Sequence, residues 1–393
     1  MSHRPSKKHR VIISGLLLVC LAGASFGLRE IAAIRHARAV AAAQDSFQYH
    51  GLSREHFPRL YGNFLMRGQF APFVEIAEAM FPIPGLAENY VPQGMAYSEA
   101  LGAFVLTFYY HDYSRPSLLA LVDAKTGEWI KRLDLLNPDG LPWRGHAGGA
   151  AAWGEHVWVS SGGTANRLAV EDLRAAEDRG SVRFRDSFSI GTRGCIAFAA
   201  GNTLWLGDFH REGHSDREYF APQRCEESGN HAWIAGFRLS HSEPMGVVGL
   251  RRGGNTPAPR YVLSIPDHAQ GATLATTGEF VLSTSFAARR ASYLWVFPRL
   301  QEILGQAPAR YVTVGRHRGV PLWVLCESGA LHRQIMPSMS EGITQREGYV
   351  YVNFESAALM YRERALLFSD HVFRMPESAL IPAEMVKAAV KVV

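Results

Sequence analysis

Ser340-Glu341-Gly342-Ile343-Thr344-Gln345-Arg346-Glu347-Gly348-Tyr349-Val350-Tyr351-Val352-Asn353-Phe354-Glu355-Ser356 is the stretch that decides the fold. A polar residue and a glycine open a short run, Glu347-Gly348 supplies a turn, and a second run follows that is dense in tyrosine and valine. Two such runs around a glycine-bearing turn read as a β-hairpin. The same plan recurs in VPQGMAYSEALGAFVLTFYY (Val91–Tyr110), GHAGGAAAWGEHVWVSSGG (Gly145–Gly163), RGCIAFAAGNTLWLGDFH (Arg193–His210) and AQGATLATTGEFVLSTSF (Ala269–Phe286), with turns at Gly102, Gly154, Gly201 and Gly278. Repetition at this scale signals an array of supersecondary units.

More strands follow the hairpins: SLLALVDAKTG and WIKRLDLL in the first unit, HAWIAGFRLS and RYVLSIP in the third, SYLWVFPRL and RYVTVG in the fourth. Four strands per unit, with small residues on the first, fit radial blades whose inner strands crowd around a channel. The sequence therefore predicts an all-β chain, a five-bladed β-propeller over residues 71–378, with a short tail at 379–393. From Gln93 to His146, Gly194, Gln270 and Glu341 the intervals are 53, 48, 76 and 71 residues, which puts insertions in the later blades. These fall at HREGHSDREYFAPQRCEESGN, at Arg251–Pro259, and after Pro298, where LQEILGQ suits a short helix. The last unit supplies three strands at most, ending near MYR, so FVEIAEAMFPIP from the N-terminal side is expected to complete its sheet and close the ring.

Ahead of this body, residues 1–27 read as a signal peptide or signal anchor: Arg4, Lys7, Lys8 and Arg10 precede the uncharged apolar run Val11–Gly27. Ala22-Gly23-Ala24 offers a cleavage site, while LREIAAIRHARAVAAAQ could continue as a helix within a lead-in spanning 28–70. Both readings put the body outside the cytoplasm, periplasmic or secreted, and an uncleaved segment would tether it to the inner membrane. That leader carries four of the five net positive charges. The rest is near neutral and lacks a basic block, which argues against nucleic acid as a partner. Cys195, Cys225 and Cys326 allow one disulfide in an oxidising compartment, with Cys195–Cys225 closing the shorter loop, or three buried thiols. No cysteine spacing suggests zinc.

Pro92-Gln93-Gly94, Gly145-His146-Ala147-Gly148-Gly149, Gln270-Gly271 and Ser340-Glu341-Gly342 resemble the turns that open inner strands in five-bladed propellers of the glutaminyl cyclotransferase type, and in exported bacterial propellers with PQG, GHxGG and SEG turns. The resemblance runs over Tyr90–Tyr361, and it implies the five-bladed fold. At His146 and Arg193-Gly194 the chain departs from the acidic or amide turns of the cyclotransferase type.

Within a blade, the start of the first strand and the end of the second lie at the same mouth of the channel. Gln93, His146, Arg193, Gln270 and Glu341 are thereby expected around one concavity. His111 and Asp112, Ser160 and Ser161, Asp208 and His210, Ser283 and Ser285, and Glu355 and Ser356 join them there. Three chemistries could use this set. Glu341 with Asp208 or Glu355 could cleave a glycoside, given carboxyls about 5 to 9.5 Å apart. His146, oriented by an acid, could be the base for ester or lactone hydrolysis, or for a lyase or cyclisation step. Glu341, Asp208 and Gln270 could bind Ca2+, in places that resemble the calcium ligands of lactonase propellers. The serines lack a GxSxG elbow. The expected catalytic residues are thus Glu341, His146, Asp208 and Glu355, and the expected ligand contacts Gln93, Gln270, His111, Asp112, Arg193 and His210. FYYHDY (Phe108–Tyr113) could be an aromatic platform, HREGHSDRE a lid, and His146, Arg193 or a cation the partner of Glu341. The function expected is a hydrolase or lyase acting on a carbohydrate, lactone or peptide-like small molecule. The alternative is a noncatalytic propeller of the cell envelope that binds a small molecule, glycan or partner, which would show an apolar patch on the opposite rim.

Overall fold

The computed structural model describes residues 64–191, 194–211, 223–224, 229–251, 256–362, 364–365, 367 and 369–381. The leader, most of the lead-in, Arg193, Cys225, most of the HREGHSDRE segment and the tail beyond Ile381 lie outside the described residues. Among those described, no helix is long and apolar enough to cross a membrane.

Five sheets radiate from a ring of inner strands. Blade 1 runs Tyr90–Ser98, Ala103–Tyr110, Leu118–Asp123 and Trp129–Leu136, with Ser181–Arg183 added in parallel at its edge. Blade 2 comprises Gly149–Trp153, His156–Ser161, Thr164–Ala169 and Asp186–Ser189. Blade 3 comprises Ile196–Ala200, Thr203–Gly207, Trp233–Arg238 and Tyr261–Ser264, and blade 4 Ala269–Leu274, Glu279–Thr284, Ser292–Arg299 and His332–Met336. Blade 5 takes Ser340–Arg346, Tyr349–Phe354 and His371–Pro376 from the C-terminal side. Its outer strand, Glu78–Pro82, pairs antiparallel with His371–Pro376 and closes the ring as expected.

Two strand assignments are corrected. RYVTVG belongs to blade 3, not blade 4: Arg310–Val314 pairs with His317–Val324, which adds in parallel to Tyr261–Ser264. The third strand of blade 5 is His371–Pro376, beyond the MYR segment rather than ending at it. LQEILGQ does form a helix, Leu300–Gly305. A further helix, Phe64–Ile76, sets Phe70 and Phe73 against the cluster between blades 4 and 5.

Each blade interface encloses one apolar cluster, which explains the continuous apolar second strands. Side chains alternate across a strand. In blade 1, Ala103 and Val105 face the cluster shared with blade 2, whereas Phe104, Leu106 and Phe108 face the one shared with blade 5. Likewise Val157 and Val159 face blade 1 while Trp158 faces blade 3. Both faces are covered, so neither needs polar residues.

The inner strands meet at glycine. A Cβ on Gly94 would lie 2.5 Å from Ala150 N, one on Gly149 2.4 Å from Ala197 N, one on Gly271 2.8 Å from Ile343 N, and one on Gly342 2.4 Å from Met95 N. Neighbouring backbones pass too closely here for any side chain. Polar side chains on the second strands tie the ring together. Thr107 Oγ1 donates to Ala147 O at 2.8 Å, Ser160 Oγ to Ile196 O at 3.5 Å and Asn353 Nδ2 to Gln93 O at 3.0 Å, and Ser283 Oγ meets Ser340 Oγ at 2.8 Å. Two of the rim serines, Ser160 and Ser283, thus bond to the neighbouring inner strand.

Cys326 is disulfide-bonded, whereas Cys195 carries a thiol, so the expected Cys195–Cys225 bridge is not formed. We predict that Gly342→Ala destabilises the protein by roughly 3 kcal/mol or more, because the clash is with backbone that cannot rotate away. Gly305→Ala, which meets nothing within 4 Å, should change stability by no more than about 0.5 kcal/mol. Chemical denaturation of the two variants checks the contrast.

Candidate functional site

Three blades carry a β-bulge at the start of the inner strand. Pairing jumps from Pro92 to Met95 in blade 1, from Ala269 to Gly271 in blade 4 and from Ser340 to Ile343 in blade 5. An extra residue in one strand re-aims its side chain. The residues within these bulges include Gln93, Gln270 and Glu341, each directly before a ring glycine.

They converge on two carboxyl groups. Gln270 Nε2 donates to Glu341 Oε1 at 3.1 Å, Gln93 Nε2 donates to Glu355 Oε2 at 3.1 Å, and the Glu341 and Glu355 carboxyls are hydrogen-bonded to each other. Glu341 is 1% exposed, while Glu355 keeps partial access to the mouth. Burial raises the Glu341 pKa well above the carboxylate range, and the negative charge of Glu355 adds to it. Burial also pushes Glu355 up, to about 8, against the opposing hydrogen bonds from Glu341 and Gln93. Among the described residues no lysine or arginine offsets either shift. Two carboxyls in contact cannot both ionise cheaply, so Glu355 gives up its proton first, at about 8, and Glu341 keeps the one the pair then shares.

Three phenols surround Glu355, and its charge, after burial, raises the pKa of each: Tyr109, Tyr113 and Tyr361, the last to about 12. The Tyr109 and Tyr361 hydroxyls lie 3.3 Å apart. Tyr113 stacks on Tyr109 with centroids 5.2 Å apart, His146 stacks on the same ring at 4.4 Å, and Tyr113 Oη meets His146 Nδ1 at 2.8 Å. Within FYYHDY, Phe108 and Tyr109 are buried, and Tyr113 is the ring left exposed. Desolvation by the packed rings lowers the His146 pKa, to about 4.

Several expected contacts resolve differently. Among the described residues Glu341 takes Gln270 and Glu355 as partners, while His146, one of those expected, meets Tyr113 instead and Arg193 lies outside the described residues. Glu341 and Glu355 are too close to flank a glycosidic oxygen, which needs about 5 Å or more. Of the expected Ca2+ ligands, Gln270 and Glu341 are brought together, with an N–H of Gln270 turned toward Glu341. Asp208 is buried and accepts the N–H of Phe209 at 2.9 Å. Asp112 is exposed and folds back to accept the Ser114 N–H at 2.9 Å, with His111 beside it at 3.8 Å, so both belong to their own turn. His210 stacks on His231 at 4.2 Å, between blades 3 and 4.

Sequence reasoning missed Tyr361, His231 and Asp267. Each lies in a connection at this mouth outside the first-strand starts and second-strand ends that defined the expected rim. Residues opening third strands share the mouth too, and His231, just ahead of Trp233–Arg238, could have been found that way. A cavity of about 980 Å3 lies at the opposite mouth, lined by inner-strand ends including Ala150, Ala151, Phe198, Thr273 and Thr344. Its lining lacks the carboxyl pair and the phenols.

The class defined by these features is a five-bladed β-propeller with a proton-sharing carboxyl pair at one channel mouth. Solved structures similar to the chain include the glutaminyl cyclase of Myxococcus xanthus (9% identity, 73% of this chain and 90% of that one, TM-score 0.38). The PQQ-bound aldose sugar dehydrogenase of Streptomyces coelicolor is another (12% identity, 76% and 97%, TM-score 0.39). A luciferin-regenerating enzyme is a third (10% identity, 77% and 95%, TM-score 0.36). No protein-family model and no curated protein matches the chain.

The raised pKa of Glu355 has a defined sign for stability. Its protonated form is favoured in the folded state, so its contribution is fully present below the ordinary value near 4.5 and is lost as pH rises through about 8. We predict that the melting temperature of the wild type falls relative to that of Glu355→Gln across this window, by on the order of 5 °C. Thermal denaturation of both proteins at intervals of pH measures the difference.

Proposed function

We propose that this mouth is the active site of a hydrolase or lyase acting by general acid–base catalysis on a small molecule with a lactone, ester or peptide-like acyl group. The observation that carries the proposal is the contact between Glu341 and Glu355, each held by its own glutamine amide. A pair sharing one proton presents an acid and a base side by side. The ionised carboxyl takes a proton from water or from the substrate's own nucleophile, while the protonated one donates to the carbonyl or leaving group. Burial keeps the acid, Glu341, protonated while the base, Glu355, ionises at about 8.

Gln93 and Gln270 fix the orientation of the two groups, which limits the reorganisation needed during proton transfer. The stacked rings of Tyr109, Tyr113 and His146 offer an apolar and partly polar face for the body of the substrate. His146, with its lowered pKa, is neutral there and hydrogen-bonds Tyr113, so we assign it to binding rather than to proton abstraction.

We also propose that the protein works outside the cytoplasm. The basic, then apolar, leader supports this, as does the disulfide at Cys326, since such bonds persist in oxidising compartments. The alanine-lined cavity at the opposite mouth favours a second reading, a binding propeller without catalysis.

A panel of lactones, esters, acyl amides and glycosides distinguishes these readings. We predict turnover of an acyl substrate, with activity rising toward alkaline pH as Glu355 ionises at about 8 while Glu341 keeps its proton. Glu341→Gln and Glu355→Gln should each lower kcat at least ~100-fold in protein that remains folded by circular dichroism. Unchanged turnover in both variants contradicts the assignment, and a lower melting temperature with intact activity per folded molecule would make the pair structural.

A further inference from the structure

A second cluster lies at the same mouth, between blades 3 and 4, and the carboxyl pair does not include it. His210 follows the second strand of blade 3, His231 precedes its third strand, and Asp267 precedes the inner strand of blade 4. One ligand-type atom from each of these three residues lies within 4.8 Å of the other two. From this convergence we propose that His210, His231 and Asp267 form a binding site for a divalent transition-metal ion such as Zn2+ or Co2+.

Asp267 is held for such a role. Its Oδ1 accepts the backbone N–H of His231 at 2.7 Å and of Ala232 at 2.9 Å, which leaves Oδ2 directed at His231 Nδ1, 2.9 Å away. Adjacent ligands of a tetrahedral ion with bonds of about 2.1 Å lie about 3.4 Å apart, so Oδ2 and Nδ1 bracket an ion after moving apart by about 0.5 Å. Binding would replace the shared proton between them with the metal, releasing that proton to solvent whenever the imidazole is the donor. His210, stacked on His231 with planes 14° apart, is the third ligand, and its ring tilts out of that stack for both imidazole lone pairs to meet one ion.

The backbone around the cluster is fixed. His268 donates its N–H to His210 O at 3.0 Å and accepts that of Ser285 at 2.9 Å, and it does so with a left-handed φ of 65° that non-glycine residues seldom adopt. These bonds pin the chain beside Asp267 to the chain carrying His210 across the interface of two blades.

Two imidazoles and one carboxylate select the metal class. Imidazole suits Zn2+, Co2+, Ni2+ and Fe2+, whereas Ca2+ and Mg2+ require oxygen donors. The three protein ligands leave a position for water or for a ligand atom, as in metal sites that do chemistry. This site is independent of the acid–base reading of Glu341 and Glu355, and either can fail alone.

The test is titration of the untagged full-length protein, dialysed against chelator, with Co2+, followed by its visible d–d absorption and by competition with Zn2+. One Co2+ per chain is expected, displaced by Zn2+. His210→Ala should weaken binding at least ~100-fold, as should Asp267→Asn, which retains the Oδ1 acceptor for the two backbone N–H groups and so preserves the fold. Circular dichroism and the melting temperature verify that each variant is folded. Glu341→Gln should bind Co2+ like the wild type. The proposal is overturned if the wild type shows no stoichiometric d–d spectrum, if both cluster variants bind with unchanged affinity, or if the spectrum is lost in Glu341→Gln instead, which would put the ion at the carboxyl pair.

Discussion

The close approach of the inner strands is the constraint on which the rest of the structure depends. At Gly94, Gly149, Gly271 and Gly342 the backbone of one blade occupies the space where a Cβ would sit on the next. Packing that tight sets the radius of the ring, and the radius decides how near side chains from different blades come to one another. In blades 1, 4 and 5 the residue before the glycine is bulged out of register and carries a long polar side chain. In blades 2 and 3 the corresponding places are taken by Gly148 and Cys195. The polar side of the mouth therefore lies where blade 5 meets its two neighbours, and that is where the carboxyl pair forms.

Forcing Glu341 and Glu355 together makes proton sharing a consequence of geometry. Desolvation alone would raise either pKa; contact between the two means that ionising one disfavours ionising the other. The glutamines act against this by donating to the carboxyls, and the balance leaves Glu355 titrating near neutrality rather than far above it. The phenols of Tyr109, Tyr113 and Tyr361 remain protonated in its field and can serve as hydrogen-bond donors.

Much of this was legible in the sequence. The hairpins announced themselves because each needs a glycine turn and because second strands buried on both faces read as unbroken apolar runs, as in Phe104 to Tyr109. Closure by the N-terminal strand followed from a last blade one strand short. Gln93, Gln270, Glu341 and Glu355 were legible at the mouth because strand direction fixes which ends share it. Other features depend on contacts that sequence periodicity does not encode. His146 was placed level with Gln93, yet the ring position in blade 2 is Gly148, since inner strands are aligned by backbone contact and not by the nearest polar residue. Arg310–Val314 reads as a strand of blade 4 by chain order, but it returns to the edge of blade 3. The partners of Glu341 were expected to be opposite charges; that a second acid would be its neighbour follows from the reach of Glu355 at the end of Tyr349–Phe354, a matter of side-chain direction.

The account stands on one proton held between two carboxyls. Infrared difference spectroscopy across pH detects it directly through the carbonyl stretch of a protonated carboxylic acid. The wild type should show this band at pH 7 and lose part of it as pH rises past about 8, where Glu355 ionises, the remainder belonging to Glu341, and isotope-edited glutamate should assign it to a band shifted or reduced in Glu341→Gln and Glu355→Gln. Absence of the band at pH 6, with both groups ionised, would contradict the account.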